Sequence, residues 1–116
     1  DFLRRFGFEK HVLRGLSVKE QAALFASATV VIAPHGAGLA NLVFCSPGTK
    51  VIELFSPSWP QPTYWELSHC LGLDYYYLIG RSDGAPVHPN PKWVPKPDYS
   101  VNLNSLSKLM ALAGLT

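Results

Sequence analysis

The residue types best suited to chemistry in this chain lie together in Pro34-His35-Gly36-Ala37-Gly38-Leu39-Ala40-Asn41. Glycines let a backbone come close to a ligand, and the free N–H groups of a helix start attract phosphate. His35 can donate to a phosphate oxygen, and its ring takes either charge state near neutral pH. Together they point to an anionic group, most simply a pyrophosphate. The same residues also fit a tight strand-to-helix turn, with glycine serving sterics alone and His35 bonding the local turn. Glu53 is the second unusual residue, an acid inside the otherwise apolar Val51-Ile52-Glu53-Leu54-Phe55. Burying a lone carboxylate is expensive unless it is paired or hydrogen-bonded. Near the carboxyl end of a sheet strand it would accept bonds from ribose hydroxyls. As a structural group it would pair with Lys50 or Arg14.

The elements around these residues read as an alternating α/β chain. Phe2–Phe6 is the end of a helix closed by Gly7, and Phe8–Leu13 alternates weakly enough to predict a short strand. Ser17 and Glu20 form the S-x-x-E capping box, opening a helix whose apolar face carries Val18, Ala22, Leu24, Phe25 and Ala28. Thr29–Ala33 is short, β-branched and apolar throughout, as a strand covered on both faces reads. A loop at Gly36–Gly38 leads into a short helix over Gly38–Phe44, followed by a turn at Pro47–Gly48 and a strand over Val51–Phe55. A helix over Thr63–Leu71 closed by Gly72, a strand over Leu73–Ile79 and a terminal helix over Asn104–Ala113 complete the pattern. The order β-α-β-α-β-α-β predicts an α/β fold: a Rossmann-like open parallel sheet with helices on both faces. In such sheets ligands bind at the carboxyl ends of strands, which is where His35 and its glycines fall.

Composition limits the alternatives. The chain has 116 residues, enough for a single domain over 1–116 with one core. Charged residues make up 16%, below the usual ~25%, and hydrophobic ones 47%, which excludes disorder and coiled coil as whole-chain readings. Net charge is +2 and only Arg4–Arg5 are adjacent basic residues, so nucleic acid is not an expected partner. The uncharged stretch Gln21–Thr49 is interrupted by Pro34, His35, Gly36, Gly38, Asn41, Pro47 and Gly48, so it reads as buried core and not as a membrane span. Half of the ten prolines lie between Pro86 and Pro97, predicting an irregular segment over 80–100. Cys45 and Cys70 form no C-x-x-C pair and read as apolar fillers. The chain starts at Asp1 with residues that look like the inside of a fold, so a fragment of something larger is expected.

Other motifs are weaker. Gly36-Ala37-Gly38-Leu39-Ala40-Asn41 approximates G-x-G-x-x-G, with Glu53 near the spacing of a ribose-binding acid, which keeps a nicotinamide-binding oxidoreductase domain as an alternative. Asn41 stands where that fingerprint wants glycine or alanine, and His35 has no part in it. A non-catalytic Rossmann-like interaction module is the other alternative. Lys50 lacks the Walker spacing, and neither a G-x-S-x-G elbow nor a D-x-D pair occurs.

Leu16-Ser17, Glu20-Gln21, Leu24-Phe25, Ala28, the block His35-Gly36-Ala37-Gly38-Leu39-Ala40-Asn41, Phe44, Pro47-Gly48 and Val51-Ile52-Glu53 resemble glycosyltransferase family 61, closely over Leu13–Pro57 and loosely beyond. The resemblance implies the GT-B architecture, two Rossmann-like halves with the active site between them. This chain would be the C-terminal half, which binds a nucleoside diphosphate sugar. Carried over by residue, His35 and the N–H groups of Gly36, Ala37 and Gly38 would hold the pyrophosphate, and Glu53 the ribose. Asn41 would brace the loop or touch the donor, and Arg14 would add positive charge or stack on the base. The resemblance further implies an inverting transfer to a hydroxyl of a glycan or protein, in polysaccharide biosynthesis, with no cofactor and no required metal. The catalytic residue is unknown: a general base is expected from the missing N-terminal half of the same enzyme, so the fragment alone would be inactive. Trp59, Tyr64 and Trp65 fit core packing better than a sugar-lining role, and His69 and His88 fit structural or solvent roles. The setting would be cytoplasmic in a bacterium or the secretory-pathway lumen in a eukaryote, with the bacterial cytoplasm put first.

Overall fold

The computed structural model of the chain describes residues 2–57, 60–82 and 99–116. Trp59, His88 and most of the proline-rich segment lie outside the described residues. Three parallel strands make the main sheet: β1 (Val30–Pro34), β2 (Lys50–Phe55) and β3 (Asp74–Ile79), in that spatial order. The register aligns Val31 with Val51 and Val51 with Tyr75, and it places Glu53 between Ala33 and Tyr77. Three of the four expected strands thus form within a residue of their predicted bounds, and β2, the most buried of them, takes the centre.

Helices cover both faces, as the apolar strands require. On one face lie α1 (Val18–Ser27), a 3-10 helix (Ala37–Phe44) and α2 (Thr63–Leu71). Their Phe25, Leu39, Leu42 and Tyr64 pack with Val51. On the other face α3 (Leu103–Leu112) sets Leu106 and Met110 against Ile52, with Phe2, Leu3 and Phe8 packed around them. Alternation along β2 explains the division. Ile52 faces α3, while Val51, Glu53 and Phe55 share the face of α1 and α2.

Local signals set the helix ends. The capping box forms as read: the Glu20 N–H donates to Ser17 Oγ at 3.1 Å, and the Ser17 N–H donates to Glu20 Oε1 at 3.1 Å. That backbone bond is the largest cause of a Glu20 carboxyl held below its usual range. Asn102 caps α3 by accepting from the Ser105 N–H at 3.1 Å. Gly72 ends α2 at φ 72°, a left-handed conformation that favours glycine.

Three expectations change. Residues 8–13 form no strand, because the Phe8 N–H is drawn back to the Leu3 carbonyl and Glu9, Lys10 and His11 sit exposed. The predicted first strand of the sheet is therefore absent among the described residues. The helix after the glycine loop has 3-10 geometry and begins at Ala37. The proline-rich segment is not irregular at its margins, since β4 (Arg81–Ser82) pairs antiparallel with β5 (Tyr99–Ser100).

The packing predicts an order of stability effects. Met110 is fully enclosed, so Met110→Ala should destabilise by about 2–5 kcal/mol in urea unfolding. Ser17→Ala removes only a cap bond at an exposed helix start and should cost about 1 kcal/mol.

Candidate functional site

The site is built where β1 gives way to the 3-10 helix. The Lys50 N–H donates to Thr29 O, and the His35 N–H donates to Leu54 O at 2.8 Å. His35 thus continues the β1 ladder by one residue beyond Pro34. This pattern turns the backbone groups of Val31 and Ala33 toward β2 and those of Val30, Ile32 and Pro34 toward the open edge of the sheet. Proline, lacking an N–H, is tolerated there.

One residue past Pro34, the His35 ring turns to the face that carries Glu53. His35 Nδ1 lies 2.5 Å from Glu53 Oε2, and the Tyr75 hydroxyl donates to Glu53 Oε1 at 2.5 Å. The ring stacks on Phe55 at 5.4 Å between centroids and 25° between planes, with Tyr64 tilted against it at 5.4 Å. Glu53 is 0% exposed and the His35 side chain 17%. Burial first, then the Glu53 hydrogen bond and charge, pushes the Tyr75 phenol far up from its ordinary value. Burial, then the Glu53 charge, raises Tyr64 as well. Tyr75 is therefore a donor in this contact and Glu53 an acceptor. The acceptor role of Glu53 makes Nδ1 the protonated ring nitrogen, and Nε2 has no partner among the described residues.

The glycine loop lies immediately beyond. Gly36 is the N-cap of the 3-10 helix, and its carbonyl accepts from the Leu39 N–H at 3.1 Å. The N–H groups of Gly36, Ala37 and Gly38 precede the first helical bond, so they have no backbone partner among the described residues. His35, Gly36 and Gly38 border a groove of about 1060 Å³ between the N-terminal segment and β1. A second cleft of about 480 Å³, lined in part by Phe55, Trp65, Tyr75 and Tyr77, lies on the α2 face of the sheet.

The two glycines answer to different constraints. A Cβ on Gly38 would lie 2.8 Å from Leu13 Cδ1. A Cβ on Gly36 would meet only the Pro34 carbonyl at 4.0 Å, and its φ of 172° is extended backbone that any residue adopts. Nothing within the described residues selects glycine at 36.

The remaining candidates fall in several places. Asn41 Nδ2 donates to Gln21 Oε1 and to Gly38 O, both at 2.9 Å, tying the loop to α1. Gln21 in turn donates to Leu16 O at 3.1 Å. Arg14 is exposed in the turn before α1 and borders neither concavity. Glu53 does not pair with Lys50 or Arg14: Lys50 Nζ donates to Ala113 O on the opposite face. Nor does Glu53 open on the crevice, since both of its oxygens are taken and its side chain is enclosed. Tyr64 is a core residue, whereas Trp65 is 57% exposed. His69 is exposed in the last turn of α2. No group of three or more metal-ligating side chains occurs among the described residues.

Tyr75 had no place in the sequence-based site. A signal for it existed in the alternation of Tyr75 and Tyr77 on one face of a strand beside β2, and in the need of a buried acid for donors. The register that brings it to Glu53 is a tertiary fact.

Comparison with known proteins bears on the family. The Glycosyltransferase 61 family model matches residues 1–52, which take in His35 and the whole glycine loop. Among curated proteins, "Beta-1,2-xylosyltransferase RCN11" of Oryza sativa subsp. japonica is 40% identical over 72 residues, covering 59% of this chain and 14% of that protein. The "Beta-1,2-xylosyltransferase" of Arabidopsis thaliana is 32% identical over 66% of this chain and 14% of its own length. The chain belongs to glycosyltransferase family 61. A third relative, the "Xylan glycosyltransferase MUCI21" of Arabidopsis thaliana, is 33% identical over 67% of this chain and 17% of its own length. The chain thus spans about one-seventh of the length of the two xylosyltransferases it matches. No solved structure matches it.

The Tyr75 contact has a measurable consequence for this family 61 chain. The folded state keeps the Tyr75 phenol protonated beyond the value at which an unfolded tyrosine ionises, about 10. Its contribution to stability is therefore complete below that pH and declines as pH rises above it. Spectrophotometric titration of the five tyrosines should show one ionising only with alkaline unfolding, and Tyr75→Phe should remove that late step.

Proposed function

We propose that this chain is the donor-binding half of an inverting glycosyltransferase of GT-B architecture, holding a nucleoside diphosphate sugar at the His35–Gly38 loop. The observation that carries the reading is a histidine with one ring nitrogen anchored and the other without a partner among the described residues. It stands beside three consecutive N–H groups with no backbone partner among the described residues, at the carboxyl end of a parallel sheet. Successive backbone N–H groups of this kind suit an anionic diphosphate. Gly36, which the chain's own packing does not require, supports the close approach of a ligand.

In this reading the acceptor hydroxyl oxygen bonds to the anomeric carbon as the bond from that carbon to the diphosphate oxygen breaks. The developing negative charge on the diphosphate falls beside His35 Nε2 and the loop N–H groups, where fixed donors stabilise a leaving group most. The acceptor's proton passes to a base supplied from outside this chain. Asn41 braces the loop through Gly38 O and Gln21, and Glu53 acts behind His35 instead of on the ribose. Arg14 is a candidate contact for the base of the nucleotide. The names of the relatives favour xylose as the sugar and a glycan, such as xylan, as the acceptor. All three are plant proteins, which favours the secretory-pathway lumen over the bacterial cytoplasm.

Calorimetry with UDP and GDP tests the reading, and a folded chain that binds neither would refute it. His35→Ala should lower affinity for the diphosphate roughly ten-fold or more, as loss of a hydrogen bond to a charged group does. It should leave affinity for the bare nucleoside unchanged. Gly36→Ala should fold with unchanged stability and lose diphosphate affinity, whereas Gly38→Ala should also perturb Leu13.

A further inference from the structure

We infer that Glu53 and Tyr75 are positioning residues for His35, forming a Tyr75–Glu53–His35 relay that fixes which ring nitrogen faces the ligand and supplies its counter-charge. The inference rests on the donor-site reading above and extends it to two residues that touch no ligand themselves.

The geometry is specific. Each Glu53 oxygen has one partner, Tyr75 on Oε1 and His35 on Oε2, both at 2.5 Å, so the carboxylate is held at two points and cannot turn. The imidazole is held at one edge by Glu53 and on its faces by Phe55 and Tyr64. A carboxylate that accepts from Nδ1–H settles both tautomer and ring orientation, as in hydrolytic triads and in ligating histidines. Nε2 is then the ring nitrogen left to act.

Charge follows the same path. When a phosphate oxygen accepts a hydrogen bond from Nε2–H, the ring carries protons on both nitrogens. That cation stands in a side chain only 17% exposed, with the fully enclosed Glu53 as its partner. Among the described residues no other acidic group contacts the ring. Lys50, the nearest cation in sequence, is engaged with Ala113 on the opposite face of the sheet. The phenol donated by Tyr75 keeps Glu53 an acceptor and leaves the Nδ1 proton with the ring.

The test uses the full chain with Glu53→Gln and Tyr75→Phe, nitrogen-15 NMR of the histidine rings, and calorimetry with UDP against uridine. The wild type should show a far-downfield Nδ1–H proton on His35, lost in Glu53→Gln and shifted in Tyr75→Phe. UDP affinity should fall about ten-fold or more in Glu53→Gln and less in Tyr75→Phe, in the range that loss of a ligand-orienting partner produces. Uridine affinity should hold. In a His35→Ala background neither substitution should weaken UDP binding further, because the three residues act as one unit. Tyr75→Phe keeps the aromatic ring and its packing, so it carries the test if Glu53→Gln fails to fold. An unprotonated Nδ1 in the wild type, equal losses for UDP and uridine, or additive effects with His35→Ala would each overturn the relay. A wild type that shows the Nδ1–H signature but binds neither UDP nor GDP overturns the donor-site reading and leaves the relay standing.

Discussion

A carboxylate enclosed at the centre of a parallel sheet is the constraint around which this structure is arranged. Glu53 sits on the middle strand with its side chain wholly removed from solvent. Left alone, such a group would oppose folding by several kcal/mol, and losing one partner of a buried pair typically costs about 3–5 kcal/mol. Two elements answer the demand from opposite sides. β3 brings a phenol and the residue beyond β1 brings an imidazole, each to a different oxygen. Because those partners come from both neighbours of β2, the pairing of β1 with β2 and of β2 with β3 is tied to the same polar centre. A slip of the β1 register by one residue would turn His35 to the other face and cost the acid that partner.

Around that centre the packing is ordinary and divides cleanly. The α3 face is dry, with Ile52 against Leu106 and Met110. The opposite face is apolar toward the amino ends of the strands, where Val51 meets Phe25, Leu39 and Leu42. Its one buried charged group among the described residues, Glu53, lies toward their carboxyl ends. The change occurs within β2 itself, from Val51 to Glu53. The His35–Glu53 pair thus lies at the end of the sheet where loops leave the strands, with Phe55 and Tyr64 against the ring.

Much of this could be read from the residues. The capping box at Ser17 and Glu20, the glycine stop at Gly72 and the apolar strands around Val31 and Val51 are local signals, and each produced the expected element. The weak alternation of residues 8–13 misled because a strand needs a neighbouring backbone as well as a pattern. There the Phe8 N–H turns back to Leu3 instead. His35 and Glu53 stood out as polar residues in apolar surroundings, and the structure brings them together. Their mutual contact was not legible, since it depends on the register between strands separated by the 3-10 helix. Tyr75 was hidden for the same reason among three consecutive tyrosines, of which alternation places Tyr76 on the opposite, apolar face.

The glycine loop shows how one motif can hold two kinds of constraint. A Cβ at Gly38 would press on the end of the Leu13 side chain, which would have to shift. Gly36 has no such neighbour and no left-handed φ, yet it stands between His35 and the first unpartnered N–H groups of the helix. Inspection of the sequence treats the two alike, and a turn needing glycine for sterics would account for both. The structure separates them: a Cβ at 38 would meet Leu13, and one at 36 would meet nothing closer than the Pro34 carbonyl at 4.0 Å. With His35 anchored from behind by Glu53, the space in front of Gly36 is bordered by a fixed ring on one side and fixed backbone donors on the other. In the proposed reading, an anion entering there would meet groups already oriented, so little further ordering entropy would oppose its binding.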